Sequence, residues 1–237
     1  MQTVAAIREV RRFPVKSMRG ESLPAATVTL QGVIADRRYA FVQKASRSSF
    51  PWLTARELPD MLRYHTTVEH ASAKEVEVTV TTPEGKKFPI QSDALRELLE
   101  SRSGRELILL YDYRGSFDVA PISVISRQTI ARIAEESQTV EDPLRFRPNV
   151  LIDLEGGEAF EELNWVGRIV HLGDTARIAI IKVDERCMMI TLDPETAKPS
   201  TAILRSVVQQ HNQCAGVYAA VLTPGEIRVG DKVSLEF

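Results

Sequence analysis

The stretch "ARIAIIKVD", Ala176 to Asp184, decides how this chain is built. Apolar residues occupy both alternating faces of it, Ile178 and Ile180 on one, Ile181 and Val183 on the other. A strand apolar on both sides belongs at the centre of a sheet. The continuation "ERCMMITLDPET", Glu185 to Thr196, is less ordinary. It sets a cysteine directly after two charged residues and closes on Asp193-Pro194, a turn signal. A core strand has no need of the charges, and a solvent loop has no need of Cys-Met-Met-Ile.

Around this stretch most of the sequence reads as short strands with turns between them. "TVAAIREVRRFPV" is β-favouring and stops at Pro14, "ATVTL" alternates before Gly32, and "RRYAFVQ" follows. "KEVEVTVTT" places Val76, Val78 and Val80 on one face before "PEG" breaks it. "ELILLYD", "NVLIDL", "RIVHLG", "GVYAAVL" and "DKVSLEF" are further strand candidates. Helices are few. "SDALRELLESR" has a capping residue in Ser92 or Asp93 and leucines at helical spacing, "SRQTIARIAEES" is capped by Ser126, and "STAILRSVVQQ" carries an apolar stripe. Helices between groups of strands, not between every pair, exclude a doubly wound parallel sheet and predict a β-barrel with added helices, a mainly β, α+β fold. The helix near 92–102 is the natural seam, giving an N-terminal unit over 1–95 and a second unit over 96–237.

With 237 residues the chain suits one large all-β domain or two smaller ones. Its 43% hydrophobic and 26% charged content is that of a soluble globular protein. A formal net charge of −2 and sparse aromatic residues among the basic ones speak against nucleic acid. No apolar run reaches a membrane-spanning length and the N-terminus lacks a secretory core, so a cytoplasmic protein without membrane attachment is expected. Cys187 and Cys214, the two cysteines, are then thiols.

Four clusters carry residues suited to chemistry. In "RRFPVKSMRGES", Lys16 and Ser17 follow a strand stopped by Pro14; an ammonium beside a hydroxyl suits a phosphate, while the same charges also suit a protected sheet edge. In "GVIADRRYAFV", Asp36 is placed to hold Arg37 or Arg38. Either one arginine enters a pocket with the other solvated, or the group is a surface ion pair worth under about 1 kcal/mol. In "RFRPNV", Pro148 biases Arg147 toward an extended conformation, where a rigid guanidinium binds phosphate or carboxylate, with Asn149 beside it; an ordinary strand entry reads the same way. In the opening stretch, Arg186 next to Cys187 favours a thiolate, a soft metal ligand, against the alternative of a small buried hydrophobe. Zinc is not indicated: two cysteines 27 positions apart and histidines at 65, 70, 171 and 211 show no tetrahedral spacing. "PGEIRVGDKVSLEF" reads as barrel closure.

Together, "FPVKSMRGES", "GVIADRRYAFV", "FRPNVLID", "ERCMMITLDPET" and "GVYAAVLTPGEIRVGDKV" resemble the MOSC superfamily, in the same order and over nearly the whole sequence. Chains with both an N-terminal β-barrel unit and a MOSC domain look like the amidoxime-reducing component and its bacterial relatives. The resemblance implies a molybdenum cofactor, Mo-molybdopterin, with Cys187 as the protein's metal ligand. Lys16, Ser17, Arg37, Arg147, Asn149, Arg186 and Tyr218 match positions that hold the pterin and its phosphate. Asp118 to Ala120 match a cofactor-contacting stretch in which Val119 and Ala120 replace hydroxyl-bearing residues. Asp193 is read as a proton relay, with a plain turn as the alternative.

The implied activity is a molybdenum-dependent oxidoreductase acting on small N-hydroxylated compounds, the cofactor supplying the redox chemistry. No cysteine cluster suits an iron–sulfur centre, so a separate ferredoxin- or flavin-type electron-transfer partner is expected. The alternatives are sulfur transfer through a persulfide on the cysteine, since MOSC domains also accompany pyridoxal-phosphate-dependent sulfurases, and a cofactor carrier without turnover of its own.

Overall fold

The strand Ala176–Glu185 is paired on both sides, with Ile169–Leu172 and with Cys214–Thr223, as its composition requires. It is one stave of a closed barrel of seven strands in the computed structural model, which describes residues 1–72, 75–113 and 117–236. From Ala176–Glu185 the order runs through Cys214–Thr223, Ile122–Ser126 and Val150–Leu154 to Gln2–Arg12, then Lys232–Leu235 and Ile169–Leu172. All neighbours are antiparallel except Ile122–Ser126 with Val150–Leu154. The N-terminal strand closes the ring by pairing Val10 with Val150 on one side and Gln2 with Leu235 on the other. Closure leaves no open edge, and inward residues such as Ile7, Val124, Ile152, Ile178, Ile180, Val217 and Val233 fill the interior.

One expectation fails at Ile181, which is 48% exposed. The register with Cys214–Thr223 shifts between Ile180 and Lys182, and this stretch of the barrel's outer face meets solvent. Pairing on both sides therefore does not bring burial on both faces here.

The N-terminal unit is a set of small sheets around a second core: Tyr39–Gln43 with Leu107–Tyr111, and His65–Ala71 with Val76–Thr81 and Lys87–Pro89. Tyr39, Phe41, Met61, Tyr64, Leu95 and Leu99 are among its largest buried side chains. Helix Asp93–Ser103 starts where Ser92 accepts from the Leu95 amide and ends at Gly104, with φ of +66°. The unit is not independent of the barrel. Residues 2–12 are a barrel stave, and Ala25–Thr29 pairs with Gly225–Arg228 near the other terminus.

A third apolar cluster lies under helices Arg127–Ser137 and Thr201–Gln210, which pack together over Ile125, Phe146, Leu151 and Ile190. The segment after Cys187 thus bridges two cores: Ile190 belongs to this cluster and Leu192 to that of the N-terminal unit. No helix among the described residues is long and apolar enough to cross a membrane.

Candidate functional site

Val217 and Ala219 face the barrel core, so Tyr218 between them faces outward. Ser123, its partner across the sheet, lies on the same outer face. Between this face and the N-terminal unit lies a cavity of about 290 Å³. The N-terminal unit supplies Lys16, Ser17, Arg37 and Arg56 to it; the other wall supplies Asp118, Arg147, Asp184, Cys187 and Tyr218.

The cavity is built from tight turns. After Pro14, the Lys16 amide donates to the Tyr39 carbonyl and Ser17 turns the chain at φ of +65°. Arg37 sits at φ of +48°, its amide on the Phe13 carbonyl, while Asp36 Oδ1 accepts from the Phe13 amide at 2.6 Å. Arg147 has φ of +54°. The extended conformation expected for it is therefore not found. Its amide donates to the Pro143 carbonyl and closes the short turn Pro143–Arg145. Pro148 bars a right-handed continuation, so the chain leaves through a left-handed residue, as helix ends commonly do. Three cavity residues that are not glycine thus hold a sparsely populated backbone conformation, which persists only where the surroundings impose it.

Arg37 is fully engaged. Its guanidinium meets Asp36 at 2.6 Å and Asp118 at 2.7 Å, and donates to Asn149 Oδ1 at 3.1 Å and the Arg147 carbonyl at 2.9 Å. Burial opposes its charge, but the two carboxylates outweigh burial and hold its pKa above the ordinary arginine value. Asn149 is fully buried behind it, accepting also from the Ser123 amide and hydroxyl. Asn149 is not among the residues lining the cavity, and it braces Arg37 from behind. Arg38 is not the solvated partner expected: it is 6% exposed, with its amide on the Pro14 carbonyl and its guanidinium reaching the Asp112 carbonyl.

Lys16 and Arg147 are in the opposite condition. Lys16 Nζ donates to the Phe117 carbonyl at 2.6 Å, and the Arg147 guanidinium stacks 4.3 Å from the Phe13 ring centre. Neither makes a salt bridge among the described residues. Burial lowers the Lys16 pKa, with Arg37, Arg147 and Arg56 adding to it against Asp118. Burial and Arg37 bring Arg147 down to about 9, with Asp118 and Asp36 opposing. Both are partly buried, neither has a salt bridge of its own, and Asp118 is the acidic neighbour they share, so the cluster has room for a further anion.

Cys187, partly buried, opens the turn Met188–Thr191, with the Ile190 amide on its carbonyl. Arg186 does not stand free beside it. Its guanidinium pairs with Asp184 at 2.9 Å and donates to the Ala215 and Phe146 carbonyls. Gly216 makes room: a Cβ there would lie 3.0 Å from Arg186 Nη2 and 2.7 Å from the Val124 carbonyl oxygen. The charge expected to act on the thiol is thus spent on Asp184. Burial raises the Asp184 pKa to about 6 despite Arg186, and Asp118 adds to the rise. Tyr218 donates to Asp118 at 3.3 Å, and burial keeps it a neutral phenol.

Asp193 lies outside the cavity wall. One carboxylate oxygen accepts from the Glu195 and Thr196 amides and the Thr196 hydroxyl, the other pairs with Arg145 at 2.8 Å. These contacts are those of a turn and anchor residue, the plain-turn alternative read from the sequence. The cavity also draws on Arg56, Phe50, Arg145 and Asp184, which sequence reasoning did not single out. Asp184 closed the quoted "ARIAIIKVD" but carried no signal apart from its neighbours. No group of three or more His, Cys, Asp or Glu among the described residues is arranged to hold a metal ion.

Comparison with known proteins gives two family matches. Residues 4–105 match the MOSC N-terminal beta barrel domain and residues 112–234 the MOSC domain. Mitochondrial amidoxime-reducing component 1 of Mus musculus is 22% identical, the alignment covering 99% of this chain and 83% of the relative. Mitochondrial amidoxime reducing component 2 of Bos taurus is also 22% identical, with 98% and 84% covered. Among solved structures, the YUAD protein from Bacillus subtilis superposes with a TM-score of 0.51 at 11% identity, over 98% of this chain and 95% of that one, a likeness of fold.

Proposed function

This chain belongs to the MOSC family, carrying both its N-terminal beta barrel domain and its MOSC domain, and on that premise we propose that the cavity holds a molybdenum cofactor and that the protein is a reductase of N-hydroxylated compounds. The observation that carries the reading is the shared cavity: Cys187 and the cations Lys16 and Arg147, which make no salt bridge among the described residues, line one space. The donor set suits the group. A soft thiolate fits a molybdenum centre, and two desolvated cations fit the phosphate of a pterin. The relatives named for amidoxime reduction point to the substrate class.

In this reading Cys187 ligates the metal. Lys16 and Arg147 neutralise the phosphate, and the Ser17 hydroxyl adds a directed hydrogen bond. Arg37, braced by Asn149, holds the Arg147 carbonyl and so fixes the direction of the neighbouring guanidinium. Tyr218 and Asp118 form a polar wall, the phenol keeping its proton and offering a donor. The bound cofactor would supply the two-electron chemistry; the protein contributes binding, orientation and exclusion of water. Cleavage of an N–O bond consumes two electrons and two protons and releases an amine-type product and water. Electrons come from a separate protein of ferredoxin or flavin type, and turnover without any added electron-transfer protein would count against this.

The test is to produce the chain in molybdenum-replete cells that make the pterin and to measure bound metal and pterin. Wild type is expected to hold both. Cys187→Ala loses the metal, and Lys16→Ala with Arg147→Ala loses the pterin. Metal content unchanged in Cys187→Ala refutes the ligand role. Pterin bound without reduction of any hydroxylamine-type substrate makes the protein a carrier, and a persulfide on Cys187 without metal makes it a sulfur-transfer protein.

A further inference from the structure

Two buried arginines tie the segment around Cys187 to the segment that presents Arg147, and they do so from opposite sides of the cysteine. Before it, Arg186 Nη1 donates to the Phe146 carbonyl at 2.9 Å. After it, Arg145 donates Nη1 to the Thr191 carbonyl at 3.3 Å and pairs Nη2 with Asp193 at 2.8 Å. Arg145 and Phe146 are the two residues directly preceding Arg147. The thiol and the unpaired cation are thereby referred to one short piece of backbone.

Arg145 is 8% exposed, and its Nε is buried with no acceptor. A buried donor without a partner is unfavourable, so folding stability does not by itself account for an arginine here. Its fork does what a single ammonium does not: it holds a carbonyl and a carboxylate two residues apart in one loop. The loop needs holding. Its two apolar anchors, Ile190 and Leu192, belong to different cores, so a relative shift of the cores would drag the cysteine. Asp193 in turn is fixed by the Glu195 and Thr196 amides, which makes it a firm end for the clamp.

We propose that Arg145, acting through Thr191 and Asp193, is a positioning residue that holds the Cys187 thiol at a set place relative to Arg147. The proposal rests on the cofactor reading for its purpose, but its test does not need the cofactor. The full chain is produced in cells lacking the pterin, so Cys187 is a free thiol in every variant. The alkylation rates of Cys187 and Cys214 are then followed separately by peptide mass spectrometry from pH 6 to pH 10. Cys214, hydrogen-bonded to the Asn212 carbonyl outside the clamp, is the internal control.

In Arg145→Gln and in Asp193→Asn, Cys187 is expected to react roughly tenfold faster, as local opening of its loop becomes easier, with the Cys214 rate unchanged. Rates of Cys187 within about twofold of wild type in both variants, or a parallel rise at both thiols in Asp193→Asn, would overturn the proposal. Should Arg145→Gln fail to fold, Asp193→Asn decides alone, since Asp193 sits at the partly exposed end of the pair. A wild-type chain that binds no cofactor would end the functional reading and leave this measurement standing.

Discussion

Within the same strands, the two faces of the barrel wall are built on opposite terms. Inward, Ile178, Ile180, Val217 and Ala219 are buried in a purely apolar cluster. Outward, Asp184 and Tyr218 meet a cavity in which Lys16, Arg37, Arg147 and Arg186 also lie. The inner face is satisfied by packing alone. The outer face is satisfied in part by its own ion pairs, and in part not at all. Arg37 and Arg147 bring the contrast down to two side chains. Both stack on the Phe13 ring, at 5.1 and 4.3 Å, and both have positive φ. Arg37 has two carboxylates and Arg147 has none. Arg37 is framework, and in the proposed reading Arg147 is the residue left for the phosphate of the cofactor.

The sharpest way to break this contrast is to remove Arg37. Arg37→Ala leaves Asp36, 1% exposed, without its ion pair and Asp118 without its stronger partner. Stranding a buried charge costs about 3–5 kcal/mol. Urea denaturation should show a loss of that order. A loss under about 1 kcal/mol would mean that water reaches Asp36 after all.

A second test uses pH. Asp184 titrates near 6 in the folded chain against an ordinary 3.8, because burial outweighs Arg186. A carboxyl raised on folding contributes stability that is fully present below about pH 3.8 and is lost as pH rises through about 6. The groups facing it are Arg186, Asp118, Arg37 and Tyr218. At ~1.4 kcal/mol per pH unit the contribution is at most about 3 kcal/mol. Stability measured between pH 4 and 6 should therefore slope downward less steeply with falling acidity in Asp184→Asn than in wild type. Equal slopes would show that Arg186 keeps Asp184 ionised throughout.

Arg147 gives an effect of opposite sign. Even a buried ion pair replaced by apolar side chains of similar volume often gains about 1–4 kcal/mol, and Arg147, partly buried and without a salt bridge among the described residues, has less to lose. Arg147→Met should raise the unfolding midpoint and, in the functional reading, abolish pterin binding. Arg147→Met that is less stable than wild type would show that contacts within the chain, the Phe13 ring among them, already satisfy the cation, which would remove the reason for inferring an anion.

These outcomes separate what the amino acids announce from what they conceal. The barrel staves alternate or run apolar, and the caps Ser92 and Ser126 stand where the helices begin, so the mainly β fold follows from pattern. Lys16, Arg37, Arg147, Cys187 and Tyr218 were also readable as candidates, through motifs spread along the chain. Their states were not. Positive φ at Ser17, Arg37 and Arg147 has no compositional mark, because none is glycine. The neutralisation of Arg186 needs Asp184 folded back onto it, and the Arg145–Asp193 clamp joins positions 48 apart. Asn149 and Asp193 were readable as polar residues near the right places, but only the fold tells bracing from binding.

The smallest effect tests whether left-handed residues at the cavity differ from those elsewhere. Gln138 ends helix Arg127–Ser137 at φ of +53°, nearly the value of Arg147, and it does not line the cavity. It serves as a helix end alone, its amide reaching the Ala134 and Glu135 carbonyls. Glycine meets no steric penalty there, so Gln138→Gly should stabilise by about 0.5 kcal/mol after the greater freedom of the unfolded chain is deducted. Arg147→Gly relieves the same backbone conformation and also removes an unpaired cation. Its gain should therefore exceed that of Gln138→Gly, when both are measured by thermal unfolding. Equal gains would mean that the charge of Arg147 is free of strain, and the contrast between the two faces of the barrel wall would then rest on backbone conformation alone.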